Sequence, residues 1–243
     1  MISFVFNYYI LNKILSTIKI EFNMTKNDIL KIEIVLKEFG LTNLGIVVFN
    51  NRFLKKYDIA MLIGPDEPFF WDIFKKSKEF TYGVKNPLNK WSKRIIDSIA
   101  NKFSGAAFYP FQNNPIIPFY DWALNTGKFW QSPVKLLVHE SRGLMVSFRG
   151  AIAFENRNNL NIQKKKNSPC LTCSAPCVRA CPVNALNNNK YDVKSCMQFI
   201  SKSKNSICID GCLVRRECPI GKSYRKIEQS RFHMKHFINE VYK

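Results

Sequence analysis

All eight cysteines of this 243-residue chain fall between Cys170 and Cys218, and that crowding constrains its folding more than any other feature. A disulfide scaffold spreads its cysteines through a short secreted chain. Here they occupy one stretch of a long chain, beside CxxC and Cys-Pro elements, and the N-terminus lacks a small-residue cleavage site. The pattern predicts ligation of a metal or metal cluster in a reducing compartment, hence a cytoplasmic protein.

The spacing narrows the chemistry. CLTCSAPCVRACPVNAL (170–186) runs Cys170-x2-Cys173-x3-Cys177-x3-Cys181-Pro182. Thiolates are soft ligands, and four of them around a cube of iron and sulfide make a [4Fe–4S] site. The bacterial run C-x2-C-x2-C-x3-C-P wraps three corners of one cube and sends its fourth cysteine to another; the run here has one extra residue in its middle gap. Cys196 follows, and then Cys208-x3-Cys212-x5-Cys218-Pro219. Eight thiols suffice for two clusters. Zinc is the competing reading, but four-cysteine zinc sites use CxxC pairs a dozen or more residues apart. Arg179, Arg215 and Arg216 interleave with the thiols. They would raise the potential of an anionic cluster, or else form a solvated basic face.

Charge sets the partner classes. The formal net charge is +19, and residues 164–243 hold 16 Lys/Arg against five Asp/Glu. A surface of this kind favours an acidic redox partner protein, nucleic acid or phosphorylated cofactors; compositional drift in a chain rich in Lys, Asn and Ile is the blander source. The first residues, MISFVFNYYILNKILSTIKIEF, are apolar but broken by Lys13, Lys19 and Glu21, so no membrane span is expected. Residues 1–23 read as an N-terminal extension, with Met24 an alternative start.

From Thr25 the elements are legible. Thr25 and Asp28 form a capping-box-like pair ahead of Ile29, Leu30, Ile32, Val35, Leu36 and Phe39, and Gly40 stops that helix. LGIVVF (44–49), AMLIG (60–64) and AAFYPF (106–111) read as strands, and 66–78 and 87–105 as helices. DWALNTG is a short helix; VKLLVHE and GLMVSFRGAIAF are the last strands, paired as a hairpin around Ser141–Gly143. The sheet should have four or five strands. NRNNLNIQKKKNSP (156–169) reads as a linker. The expected fold class is α+β: an α/β domain over 24–155 with a cofactor or substrate pocket, then a small cysteine-rich domain over 170–243 with a helix near 192–201 and a basic terminal helix.

Residues 168–220 resemble two-cluster bacterial ferredoxin modules, especially those at the C-terminal side of epoxyqueuosine reductases and reductive dehalogenases. There the module delivers single electrons to a corrinoid held by a preceding α/β domain, and the order matches. By analogy with the crossed pattern of such modules, Cys170, Cys173, Cys177 and Cys218 would hold one [4Fe–4S] cluster and Cys181, Cys196, Cys208 and Cys212 the other. DWALNTGKFWQSPVKLLVHESRGLMVSFRGAIAF (121–154) is similar to the last strands of CblC-type cobalamin-processing proteins, in which a His leads into a Gly-rich turn and an apolar strand closing in Arg-Gly. The matching positions are His139, Gly143, Arg149 and Gly150, so the resemblance implies a nitroreductase/CblC-like sandwich in which His139 and Arg149 bind cobalamin or flavin.

Read without the resemblance, His139 suits a satisfied structural histidine, and Arg149 either an anion site or a salt bridge. All four Trp (71, 91, 122 and 130) fall within sixty residues; they could line a flat cofactor or fill a core. GxGxxG, GxxxxGK[ST] and HExxH are absent from the sequence. Three functions follow: a one-electron carrier with two [4Fe–4S] clusters, an oxidoreductase using them as an internal relay to a corrinoid or flavin, or a nucleic-acid-binding protein with a structural cluster. Against the third, aromatics do not interleave with the basic C-terminal stretch as stacking platforms would.

Overall fold

The computed structural model describes residues 23–157, 166–187, 190–202, 207–221 and 226–241. The expected extension 1–23, apart from Asn23, and residues 158–165 of the expected linker lie outside them. The fold is mixed α+β. Strand β1 (Asn23–Met24) leads into helix α1 (Lys26–Glu38). The capping box is present there: the Thr25 hydroxyl accepts from the Asp28 amide, and the Asp28 carboxylate accepts from the Thr25 amide.

A four-stranded antiparallel sheet follows, built from β2 (Leu41–Phe53), β3 (Tyr57–Pro65), β4 (Ala106–Phe108) and β7 (Gly150–Phe154) in the order β2-β3-β7-β4. Both of its faces are covered, which explains the unbroken apolar run of β3. Ile59, Met61 and Ile63 point one way, into a core shared with α1, helix α2 (Phe70–Lys75) and helix α4 (Pro87–Lys102). Ala60 and Leu62 point the other way, toward helix α5 (Phe119–Leu124) and strand β5 (Phe129–Gln131). Trp71 and Trp91 sit in the first core, and Trp122 in the second.

Two expectations need correction. The helix expected over 66–78 breaks at Ser77, whose hydroxyl caps a new turn, α3 (Lys78–Thr81), by accepting from the Phe80 amide. Glu79 of that turn is buried against the forked Arg94 guanidinium of α4, at 2.6 and 2.9 Å. The hairpin around Ser141–Gly143 shrinks to a single bridge between His139 and Gly143. Strand β6 (Leu137–His139) pairs with β5 in a separate sheet, and residues 144–149 leave the ladder before β7 begins. The carbonyls of Leu144 and Val146 accept from the Arg215 guanidinium instead of from a neighbouring strand.

Strand β8 (Asn156–Arg157) pairs with β1. The cysteine region then carries a 3-10 turn (Pro176–Arg179), the β9–β10 pair (Leu186–Asn187 and Lys190–Tyr191) and helix α6 (Val193–Lys202). Short helix α7 (Leu213–Arg216) and terminal helix α8 (Ile227–Val241) complete it. It packs on the β5–β6 pair through a third core, where Trp130, Val138 and Leu144 meet Cys177, Val214 and Cys218. Helix α8 returns to α2: Phe232 packs edge-on against Trp71 and Phe74, while Lys75 pairs with Glu228 and Asp72 with Lys226. Among the described residues no helix is long and apolar enough to cross a membrane.

Candidate electron-transfer site

The eight thiols fall into two groups. Cys170, Cys173, Cys177 and Cys218 line one small cavity, floored by Val138 and Leu144 of the first part of the chain. Cys181, Cys196, Cys208 and Cys212 line another, against Ile200 and Val214. Adjacent cysteines thus diverge: Cys177 and Cys181, one helical turn apart in sequence, face different cavities. Among the described residues no three His, Cys, Asp or Glu side chains are placed to hold a single metal ion.

The backbone is arranged around the sulfurs. The Ala175 amide donates to Cys173 Sγ at 3.4 Å and the Ala185 amide to Cys181 Sγ at 3.2 Å. Each bond follows a left-handed residue, Ala175 itself (φ 53°) or Asn184 (φ 52°). Such residues cost about 1–3 kcal/mol and persist where the surroundings impose them. The Tyr191 hydroxyl donates to Cys196 Sγ at 3.5 Å. Burial pushes the thiols of Cys170, Cys177, Cys196 and Cys208 up. A positively charged group bound among them would favour the thiolate forms that burial disfavours.

A cavity of about 430 Å³ opens beside the second quartet. Cys196 and Cys212 belong to its wall, together with Leu44, Met145, Val146 and Phe237. Polar groups converge on it from across the chain: Glu67 after β3, Arg142 in the β6–β7 connection, Arg215 on α7, and Lys226, Gln229 and His233 at α8. Arg142 donates to the Pro65 carbonyl at 2.6 Å and stands 3.6 Å from Asp66. Burial raises the pKa of Glu67, with the Gln229 side chain opposing the shift. His233 is held neutral, its pKa pushed down to about 3 by burial and by the neighbouring Arg149, His236 and Arg215.

Comparison with known proteins gives no match among protein families, curated proteins or solved structures. The assignment of chemistry therefore rests on the residues themselves.

Neither cofactor candidate from the sequence reaches the wall of the 430 Å³ cavity. His139 is buried on β6, its ring edge-on to Phe129 at 4.7 Å and its Nδ1 within 3.2 Å of the Ser141 hydroxyl. Arg149 lies behind the wall, its Nη2 donating to Ser147 Oγ at 2.9 Å. The four Trp are core residues and none lines this cavity. Glu67, Arg142 and His233 escape sequence reasoning because they belong to no spaced motif. The one available signal is that Glu67 lies two residues past the apolar run ending at Pro65, where a strand ends and polar groups gather.

His139 supplies a pH prediction. Burial, followed by the Arg142 charge, lowers its pKa from 6.5 to about 4. The unfolded chain therefore binds the proton more readily across that interval. Stability is complete above about pH 6.5 and is lost as pH falls through about 4, by about 3 kcal/mol for this group. Urea unfolding between pH 7 and 4.5 should show a shallower pH slope in His139→Gln than in the native chain. Equal slopes would mean that His139 is not buried neutral.

Proposed function

We propose that this chain carries two [4Fe–4S] clusters in a bacterial ferredoxin-type module and passes electrons one at a time, the module being joined to a nitroreductase/CblC-like domain. The observation that carries the reading is the sorting of eight thiols into two quartets that line separate cavities. The donor set fits the group: soft sulfurs only, with N–H donors at Cys173 and Cys181 and a hydroxyl donor at Cys196. Bound there, a [4Fe–4S] group supplies reversible one-electron exchange. The chain's own part is to fix the thiolates, to exclude water with Val138, Leu144 and Val214, and to stabilise negative charge through those donors and the Arg215 guanidinium. The net charge of +19 suits an acidic partner protein as donor or acceptor.

Anaerobic purification followed by iron, sulfide and zinc analysis tests this reading. About eight irons and eight sulfides per chain are expected for two cubes. About four would remove one of them, and stoichiometric zinc without sulfide would end the proposal. Reduced samples should also show the paramagnetic signals of interacting clusters.

A second reading, an oxidoreductase with the thiol-held groups as an internal relay, is favoured by one observation. Cys196 and Cys212 belong both to the second quartet and to the wall of the 430 Å³ cavity. A molecule in that cavity would lie next to the relay. The volume suits a compact organic ligand, such as the ring system of a flavin, better than a whole corrinoid.

A further inference from the structure

The 430 Å³ cavity divides by chemistry. Leu44, Met145, Val146 and Phe237 give it an apolar side. Cations gather elsewhere around it: Arg142, Arg215 and Lys226 on the wall, and Arg149 behind Ser147 and His233. Two of these charges are already matched: Arg142 faces Asp66 and Lys226 pairs with Asp72 at 3.1 Å, whereas Arg215 donates to the Leu144 and Val146 carbonyls, which bring no counter-charge.

Arg149 is different. Its guanidinium has the Ser147 hydroxyl as hydrogen-bond partner, while its Nε is shielded from solvent with no hydrogen-bond partner among the described residues. Among the described residues no carboxylate acts on its charge; burial alone pulls its pKa down to about 10. A cation held away from water without a counter-charge is costly, and such sites are completed by an anion. His233, on the cavity wall, stays neutral chiefly because it is buried, with Arg149, His236 and Arg215 adding to the effect. A bound anion would relieve both.

We infer that this cavity binds a small organic carboxylate, an apolar ring or chain against Leu44, Val146 and Phe237 with its anionic end toward Arg215 and His233 on the wall, the side behind which the Arg149 charge is buried. Glu67 is the group that opposes an anion. Its buried Oε2 has no hydrogen-bond partner among the described residues, and burial raises its pKa against the opposing Gln229 side chain, which limits the repulsion. A protonated Glu67 can donate to the ligand instead. The site does not depend on the thiols holding iron, so its failure and the failure of the two-cluster reading are separate results.

The test is calorimetric titration of the full-length chain with 1-naphthoate and with its neutral counterpart 1-naphthamide, iron content being measured on the same sample. The carboxylate should bind about tenfold or more tightly than the amide. Arg149→Gln should reduce that preference several-fold. Because Arg149 is held within the fold, Lys226→Glu at the cavity wall serves as a second variant, and it should weaken the carboxylate several-fold. Glu67→Gln should strengthen carboxylate binding or leave it equal. Equal affinity for carboxylate and amide would overturn the inference. So would the lack of carboxylate binding at about 5 mM to folded chain, or an unchanged preference in both folded cation variants.

Discussion

Replacing Cys181 by serine is expected to cost the chain about half of its iron and sulfide, and replacing Cys177 should cost the other half. These residues lie one helical turn apart in sequence, yet Cys177 lines a cavity with Cys170, Cys173 and Cys218, and Cys181 with Cys196, Cys208 and Cys212. Cys218→Ser should therefore behave like Cys177→Ser, and Cys196→Ser like Cys181→Ser. The double variant Cys177→Ser/Cys218→Ser should lose no more iron than either single change, since both remove ligands of one group. Cys177→Ser/Cys181→Ser should leave almost none. An uncrossed arrangement predicts the opposite pattern, with Cys177→Ser/Cys181→Ser losing about half, about four irons per chain. Iron and sulfide analysis of anaerobically purified variants reads the difference directly.

Gly143→Ala carries the second large effect. Gly143 has φ +55°, a conformation that side chains other than glycine enter at a cost of about 1–2 kcal/mol. A Cβ there would stand 2.4 Å from the Ile220 carbonyl oxygen and 2.7 Å from Cys218 Sγ. The neighbouring approach is just as close: a Cβ on Gly221 would meet the Arg142 carbonyl oxygen at 2.4 Å. The β6–β7 connection and the segment after Cys218 interlock at these two glycines. Relieving the clash means moving backbone, and with it the sulfur that closes the first quartet. Gly143→Ala should lower stability by about 2–4 kcal/mol and deplete iron from the first group selectively. Gly83→Ala is the matched control, because Gly83 has φ +59° with nothing within 4 Å of the added carbon. It should show the conformational cost alone, about 1 kcal/mol. A Gly143→Ala protein as stable and as iron-rich as Gly83→Ala would show that this contact does not position Cys218.

The two glycines also explain why part of the site could not be foreseen. Gly143 stands out in the sequence as a turn residue, but its close approach to Cys218 joins positions 75 residues apart. His139 and Arg149 attract notice because they end apolar segments. The fold buries His139 beside Phe129 and sets Arg149 behind Ser147. The groups that face the cavity, Glu67, Arg142 and His233, come from three distant segments: Arg142 reaches Pro65 and Asp66 beside Glu67, and His233 joins them because helix α8 folds back onto α2 through Phe232.

What the sequence determined by itself was local. The Thr25–Asp28 capping box, the apolar stripe of α4, the buried strand β3 and the cysteine spacing each depend on neighbours within one or two turns or along one strand, where periodicity and turn chemistry act. The tertiary structure alone decided two things: the departure of residues 144–149 from the sheet, and the cavity between Cys212 and Glu67. In each case partners distant in sequence outweigh local preference, whereas the break at Ser77 is a local cap. The Leu144 and Val146 carbonyls show the reason most clearly: the Arg215 guanidinium, about 70 residues away, satisfies them, and the strand they would have formed is left unmade.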